Sequence, residues 1–253
     1  MIPIGAHIGN EPPLEAARIR RADLVQMFLG DPQSWERPPE RSDAEELRNA
    51  DLPIYVHAPY PMNLASANNR IRIPSRKTLA ETAQAAEKIG AAAIIVHGGH
   101  VADDEDIAVG FERWRKALQA VETTVPILIE NTAGGGNAVA RELGNYGPLW
   151  EAVGEYDVGV CLDTCHAWAA GQDLAGAVAT LRSLSGRLDL VHCNDSRDPI
   201  GSRRDRHTNL GGGMVPEELL VAGVREAGVP AIVETPGVDG QATDIAWLRE
   251  RLG

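Results

Sequence analysis

The sequence predicts a parallel (β/α)8 barrel of the TIM type, with its chemistry at the C-terminal ends of the strands. Three observations predict it. Eight short apolar runs recur along the 253 residues, spaced by about 20 to 40 residues, and each gap holds a helical pattern. The runs are apolar without alternation, as suits parallel strands covered by helices. Most of them stop at a histidine or a carboxylate, and such groups follow strands all along the chain. A ring of strand ends would gather them, whereas a doubly wound sheet would place its ligand at one switch point.

Taken in order, the first strand is Ile2 to Ala6, stopping at His7, and the second is Asp23 to Leu29. Ile54-Tyr55-Val56 ends at His57, Ile94-Ile95-Val96 at His97, and Ile127-Leu128-Ile129 at Glu130. Gly159 to Leu162 ends at Asp163, Leu188 to Val191 at His192, and Ala231-Ile232-Val233 at Glu234. Lys77 to Ile89 reads as a helix, with Leu79, Ala83, Ala86 and Ile89 on one side. Asp104 to Val121 sets Ile107, Phe111, Trp114 and Leu118 in an apolar stripe at helical spacing. Pro216, followed by Glu217 and Glu218, opens another helix, because proline suits the first turn and acids suit its dipole. Asp244 to Leu252 is the last. No composition break or low-complexity linker divides the sequence, so residues 1–253 are read as a single domain. The longer connections, Gly30 to Arg41 and Asn194 to Pro216, fall on the face where barrel enzymes keep their active sites.

A hydrophobic content of 43% is ordinary for a globular chain of this length, and no apolar run reaches a membrane span of ~20 residues. The N-terminus enters a strand without the pattern of a secretory leader, and the three cysteines form no CxxC pair. A cytoplasmic, reduced protein with no membrane association is the expectation. The net charge of -12 disfavours a general nucleic-acid binder. Bound divalent cations would offset that charge locally, and basic residues cluster at Arg70, Arg72, Arg76 and Lys77 and at Arg203, Arg204 and Arg206.

Five of the seven histidines (His57, His97, His166, His192 and His207) sit at or just beyond strand ends. With Glu130, Asp163, Asp205 and Glu234 they make nine nitrogen and carboxylate donors, a mix that suits zinc best, with manganese or iron as alternatives. One zinc takes about four ligands and a catalytic one about three protein ligands. Nine donors are too many for one ion, whereas two or three ions sharing a bridging carboxylate would use them all. His7 is read as packing or hydrogen-bonding at the mouth, His100 as facing solvent, and Cys161, Cys165 and Cys193 as structural. Asn131, Asn194 and Asp195 are read as orienting the ligands from behind.

With these residues in place, the chain resembles the endonuclease IV family of apurinic/apyrimidinic endonucleases, essentially end to end. The resemblance rests on Gly5-Ala6-His7, Phe28 to Trp35, His57-Ala58-Pro59-Tyr60 with Asn63-Leu64-Ala65, and Val96 to His100. It continues through Glu130 to Gly134, Asp163 to His166, His192 to Ser196, Asp205 to His207 with Asn209-Leu210-Gly211, and Glu234 to Gly237. The segment His207 to Gly213 departs from the family, carrying threonine and glycine where the family tends to be acidic, and the outer loops look trimmed.

The resemblance implies a barrel holding three zinc ions, with manganese as an alternative at one site. His57, His97 and Glu130 would hold the first ion; Glu130, Asp163, His192 and Glu234 the second; His166, Asp205 and His207 the third. The implied reaction is hydrolysis of the phosphodiester 5′ to an abasic site in duplex DNA, leaving a 3′-hydroxyl, by a hydroxide that zinc activates. Glu130 and Glu234 are the expected catalytic carboxylates. Recognition requires extruding a nucleotide, and Gln33, Trp35 and Tyr60 are candidates to enter the minor groove. Arg70, Arg203, Arg204 and Arg206 are candidate phosphate contacts, and a monomer acting on abasic duplex DNA without a protein partner is implied. The rival reading is a sugar isomerase or epimerase of a related barrel, which would use one metal and about four ligands.

Overall fold

The computed structural model describes residues 1–253. Eight strands close into a barrel in which each is parallel to its neighbours. They are β1 (Ile4–His7), β2 (Val25–Met27), β3 (Ile54–His57), β4 (Ala93–His97), β5 (Ile127–Glu130), β6 (Val158–Asp163), β7 (Leu190–His192) and β8 (Ala231–Val233). The ring is completed by pairing of β8 with β1. Outside it lie α1 (Pro13–Arg20), α2 (Ala44–Asn49), α3 (Asn69–Lys88), α4 (Ile107–Leu118), α5 (Tyr146–Val153), α6 (Thr164–Ala169), α7 (Ala177–Ser185), α8 (Glu217–Ala227) and α9 (Val238–Leu252). Two antiparallel ribbons are built from the connecting loops, His100–Val101 with Asn137–Ala138 and Asp195–Ser196 with His207–Thr208. No helix is long and apolar enough to cross a membrane.

The strands bury both faces, and the two faces belong to different cores. Val56, Ile94, Val96, Ile127, Ile129, Val160, Leu162 and Val191 join the large apolar shell between barrel and helices. Leu24, Tyr55, Ala93, Ile95, Leu128, Cys161, Leu190 and Ile232 form a separate buried cluster, which is the plug inside the barrel. Gly5 belongs to the same level: a Cβ there would lie 2.0 Å from the carbonyl oxygen of Leu24, so only glycine lets Leu24 into the plug.

Strand side chains alternate between faces, so two positions beyond each plug residue lies the next inward residue. From β1 to β8 these are His7, Gln26, His57, His97, Glu130, Asp163, His192 and Glu234. A layer of polar side chains thus caps the apolar plug at the C-terminal end of the strands. Register brings its members level: His97 pairs with Glu130, and Asp163 with His192.

Several boundaries differ from those read in the sequence. The second strand is Val25–Met27 rather than Asp23 to Leu29, and the first is Ile4–His7. The helix expected from Lys77 begins at Asn69, where the Asn68 side chain accepts a hydrogen bond from the Arg70 N–H, and it runs through Pro74. The helix expected over Asp104 to Val121 is Ile107–Leu118, started by Asp106, which accepts from the Ala108 N–H. The last helix begins at Val238, earlier than Asp244.

Candidate metal centre

The polar layer of the barrel, with the loops after β6 and β7, gathers nine histidine and carboxylate side chains into three donor groups, and Cys165 makes a fourth with two of them. The three are His57, His97 and Glu130; Glu130, Asp163, His192 and Glu234; and His166, Asp205 and His207; the fourth is Asp163, Cys165 and His207, and donor atoms inside each group lie within 4.8 Å of one another. Glu130 belongs to two of them and divides its oxygens between them. Its Oε2 lies 3.3 Å from both His57 Nε2 and His97 Nε2, while its Oε1 lies 3.1 Å from His192 Nδ1. In the third group, Asp205 stands 3.1 Å from His166 Nε2 through one oxygen and 3.1 Å from His207 Nε2 through the other. His166 comes from α6 and Asp205 and His207 from the loop after β7, so this group sits beyond the polar layer.

Hydrogen bonds around the cluster fix which ring nitrogen points inward. His57 Nδ1 donates to the Ala58 carbonyl at 2.7 Å, and His166 Nδ1 to the Asn131 carbonyl at 2.9 Å. In the neutral rings their Nε2 lone pairs face carboxylates, Glu130 at 3.3 Å from His57 and Asp205 at 3.1 Å from His166, and only a proton or a cation can join such a pair. His166 Nε2 and His207 Nε2 are buried without a hydrogen-bond partner. A cation between nitrogen and carboxylate resolves that arrangement. Borderline nitrogen donors with carboxylate oxygens, in groups of three and four, fit zinc and related divalent ions. Outer partners hold the carboxylates as well. Asp163 Oδ1 accepts from the His166 N–H at 2.7 Å, capping α6, and its Oδ2 accepts from Asn194 Nδ2 at 2.7 Å. Asn194 also accepts from the Glu234 N–H at 2.7 Å, and the Asn131 side chain bonds both the N–H and the carbonyl of Asp163.

Electrostatics point the same way. Glu130, Asp163 and His192 are fully buried, and His57 and His166 nearly so. Burial alone would raise Glu130, but the charges of His192 and His97 and hydrogen bonds from His166 and His192 hold it well below the usual carboxylate range. Glu234 is lowered by the same contest, burial against His192 and His7. Burial pushes Asp163 up, even with His166 and His207 beside it. Against burial, Asp163 and Asp205 drive His166 well above the ordinary imidazole value; Cys161, with Glu234 and Glu130, does the same to His192, and Asp205, Cys165 and Asp163 do so to His207. So many buried acids need positive charge among them, supplied by protons or by metal ions.

Two residues of the polar layer lie outside the donor groups. Gln26 is buried and reaches both His192 Nε2, at 2.8 Å, and Glu234 Oε1, at 2.6 Å. His7 Nδ1 lies 2.8 Å from Gln26 Nε2. Gln26 carries no chemical signal in the sequence, although its position two residues after Leu24 puts it on the inward face. Asp195 does not orient the ligands directly: its carboxylate accepts from the N–H groups of Ser196, Gly211, Gly213 and Val215. His100 is exposed.

The mouth opens into two pockets of about 390 and 400 Å³ that share Tyr60 as a wall. One is lined by His97, His166, Arg203 and Asp205 among others, the second by His7, Phe28, His207 and Glu234. Tyr60 is half exposed, its ring 5.2 Å from Phe28 and 5.8 Å from His57. Its N–H donates to the Pro32 carbonyl at 2.9 Å, tying it to the loop that exposes Gln33 and Trp35. Arg70 is exposed at the start of α3, and Arg203 holds a left-handed backbone (φ 58°) at the pocket rim. Arg206 is less free, since Asp198 takes its Nε at 2.6 Å and one terminal nitrogen as well, and Arg204 lies 3.5 Å from the same carboxylate.

Comparison with known proteins places this geometry. Residues 15–251 match the family described as xylose isomerase-like TIM barrel. The chain is 60% identical over 250 residues to a "Probable endonuclease 4" of Mycobacterium tuberculosis, covering 99% of both chains. The crystal structure of endonuclease IV from Thermus thermophilus superposes with a TM-score of 0.84 at 30% identity, covering 99% of this chain and 98% of that one. A D-tagatose 3-epimerase-like protein superposes at 0.81 with 18% identity, a likeness of fold alone. On sequence identity over its whole length and on structure, the chain belongs to the endonuclease IV family.

Proposed function

We propose that this chain is a DNA-repair endonuclease that hydrolyses the phosphodiester 5′ to abasic sites in duplex DNA and leaves a 3′-hydroxyl. The observation that carries the reading is the divided carboxylate of Glu130, which offers one oxygen to each of two donor groups while a third group stands beside them. A single-metal isomerase would use one such group and leave the other two without purpose. Three zinc ions are the proposed complement, held by the nine residues in the groups described. When bound, such ions supply an acidified water and positive charge opposite the scissile phosphate.

The chain's own groups then have distinct tasks. Glu130 sets the separation of the first two groups. Glu234 turns Oε2 toward His192 Nδ1, at 3.3 Å, and lies at the pocket wall, where it can accept the proton of the attacking water. Tyr60, with Gln33 and Trp35 on the adjoining loop, projects where a duplex must dock, and fills the gap left by an extruded nucleotide. Arg70 and Arg203 carry more of the phosphate contact than Arg204 and Arg206, which share the Asp198 carboxylate.

The test joins elemental analysis to incision of a duplex bearing one tetrahydrofuran abasic analogue. The expected result is about three zinc ions per chain and a single nick 5′ to the lesion whose end a polymerase extends. One ion per chain with no nick would end the proposal. Tyr60→Ala should weaken binding of that duplex about tenfold, the loss of roughly one stacked contact, measured by fluorescence anisotropy; unchanged binding removes Tyr60 from the wedge.

A further inference from the structure

We propose that Gln26 is a positioning residue of the metal centre: one side-chain amide fixes the ring of His192 and the carboxylate of Glu234, so that Nδ1 of one and Oε2 of the other face the ions. The proposal rests on the metal reading above and adds to it a residue that binds no ion and touches no substrate.

The argument starts from the orientation of the amide. Gln26 is fully buried, inside the same polar layer as the donors. One end of its amide lies 2.6 Å from Glu234 Oε1 and 2.8 Å from His7 Nδ1, and the other lies 2.8 Å from His192 Nε2. A carboxylate only accepts. The NH2 group must therefore face Glu234, since the flipped amide would set two oxygens against each other. One of its hydrogens goes to Glu234 Oε1, and His7 Nδ1, 2.8 Å from the same NH2 group and 3.2 Å from Glu234 Oε1, either accepts the second or donates to the carboxylate. The amide oxygen is left facing His192 Nε2, which must then carry a proton.

That proton settles the ring. With Nε2 protonated, the lone pair of the neutral imidazole is on Nδ1, which lies 3.1 Å from Glu130 Oε1 and 3.3 Å from Glu234 Oε2. His57 and His166 are fixed by backbone carbonyls in the opposite sense, with Nδ1 protonated and Nε2 inward. His192 shows no such carbonyl bond to either ring nitrogen, and Gln26 takes that part. On the other side, the bond to Oε1 stops Glu234 from rotating its second oxygen away from His192. A ligand on β7 and a ligand following β8 are thus tied by one amide reaching over from β2.

A glutamine that merely filled the barrel would have the same burial, so the test must read the metal and the ring. In protein with 15N-labelled histidine, loaded with zinc, His192 should show a slowly exchanging Nε2–H proton and an unprotonated Nδ1. A proton on Nδ1 in the parent protein would overturn the proposal without any variant. Gln26→Leu, similar in volume, should lose that protected proton and release one of its ions to a chelator about 10- to 100-fold more readily, the usual effect of removing an outer partner. Met27→Ala, on the outward face of the same strand, should lower the melting temperature and leave ring and ion release unchanged. Folded Gln26→Leu that releases ions like the parent overturns the role of Gln26 alone; a parent that holds no divalent ion overturns the centre and this role together.

Discussion

Glu130 cannot keep both of its partnerships as an amide. Glu130→Gln preserves volume in a fully buried site but turns one end of the group into a donor, which faces either His57 and His97 or His192 with the wrong sign. Loss of an outer partner already costs 10- to 100-fold, so loss of the shared ligand should lower incision by more than about 100-fold and remove at least one ion. Far-UV circular dichroism should stay the same, because the plug and shell do not contain this residue. Near-parental incision with full metal content would show that Glu130 has been misassigned. At this scale most of the clustered side chains were legible because each ends a strand or follows one closely, Asp205 and His207 in the long connection after β7 being the exceptions. Gln26 was not, since a glutamine inside an apolar run carries no chemical flag. Its meaning comes from Leu24 two positions earlier, and which face of a strand points inward is known only once the barrel closes.

Among the elements, the connection after β7 depends most on a single side chain. Asp195 accepts from the N–H groups of Ser196, Gly211, Gly213 and Val215 at 2.7 to 3.1 Å, so a glycine-rich segment folds around one carboxylate. The glycine is required at Gly213, where a Cβ would lie 2.4 Å from Asp195 Oδ1. The same residue pairs with Thr208 in the ribbon that carries His207. Asp195→Ala should therefore cost about 2–4 kcal/mol, from several N–H groups losing a charged acceptor, read by urea denaturation. It should also loosen the ion nearest His207. A loss under about 0.5 kcal/mol, the range of an ordinary surface change, would mean the loop is held by other contacts. The sequence suggested Asp195 as a partner of the ligands because it follows His192 and Asn194 closely, and only the fold of 209–215 shows what it holds. The early start of α3 was hidden for a different reason. Asn69 to Arg72 offers no apolar stripe, puts arginines at the positive end of the helix dipole, and precedes Pro74, which removes a helical donor. That turn is held by the Asn68 cap and by Ser75, which donates to the Ile71 carbonyl at 2.7 Å and accepts from the Asn63 N–H at 2.9 Å.

For the molecule as a whole, the net charge of -12 takes on meaning once part of it is located. Four of the acids are crowded at the barrel mouth, and three divalent ions there would halve the net charge. Without ions, protons must stand in, and the pH dependence of stability should show it. Glu130, Glu234 and Asp205 are held below their ordinary values, so what they contribute is present above a pH of about 4 and lost as pH falls through their lowered values. His166, His192 and His207 are raised, so their contribution is complete below a pH of about 6.5 and lost as pH rises through their raised values. Asp163, pushed up by burial, also disfavours the folded state, the loss accruing as pH rises from its ordinary value of about 4 to its raised one. Chelator-stripped protein should therefore be most stable between about pH 4.5 and 6.5 and decline above that. Zinc reverses the trend, because its ligands must be deprotonated and each ion displaces protons. The gain in melting temperature on adding zinc should thus grow from about pH 5.5 to about pH 8, and the heat of binding should depend on the ionisation enthalpy of the buffer. A gain that is flat or shrinks over that range would mean the buried acids are neutralised by something other than metal in exchange for histidine protons.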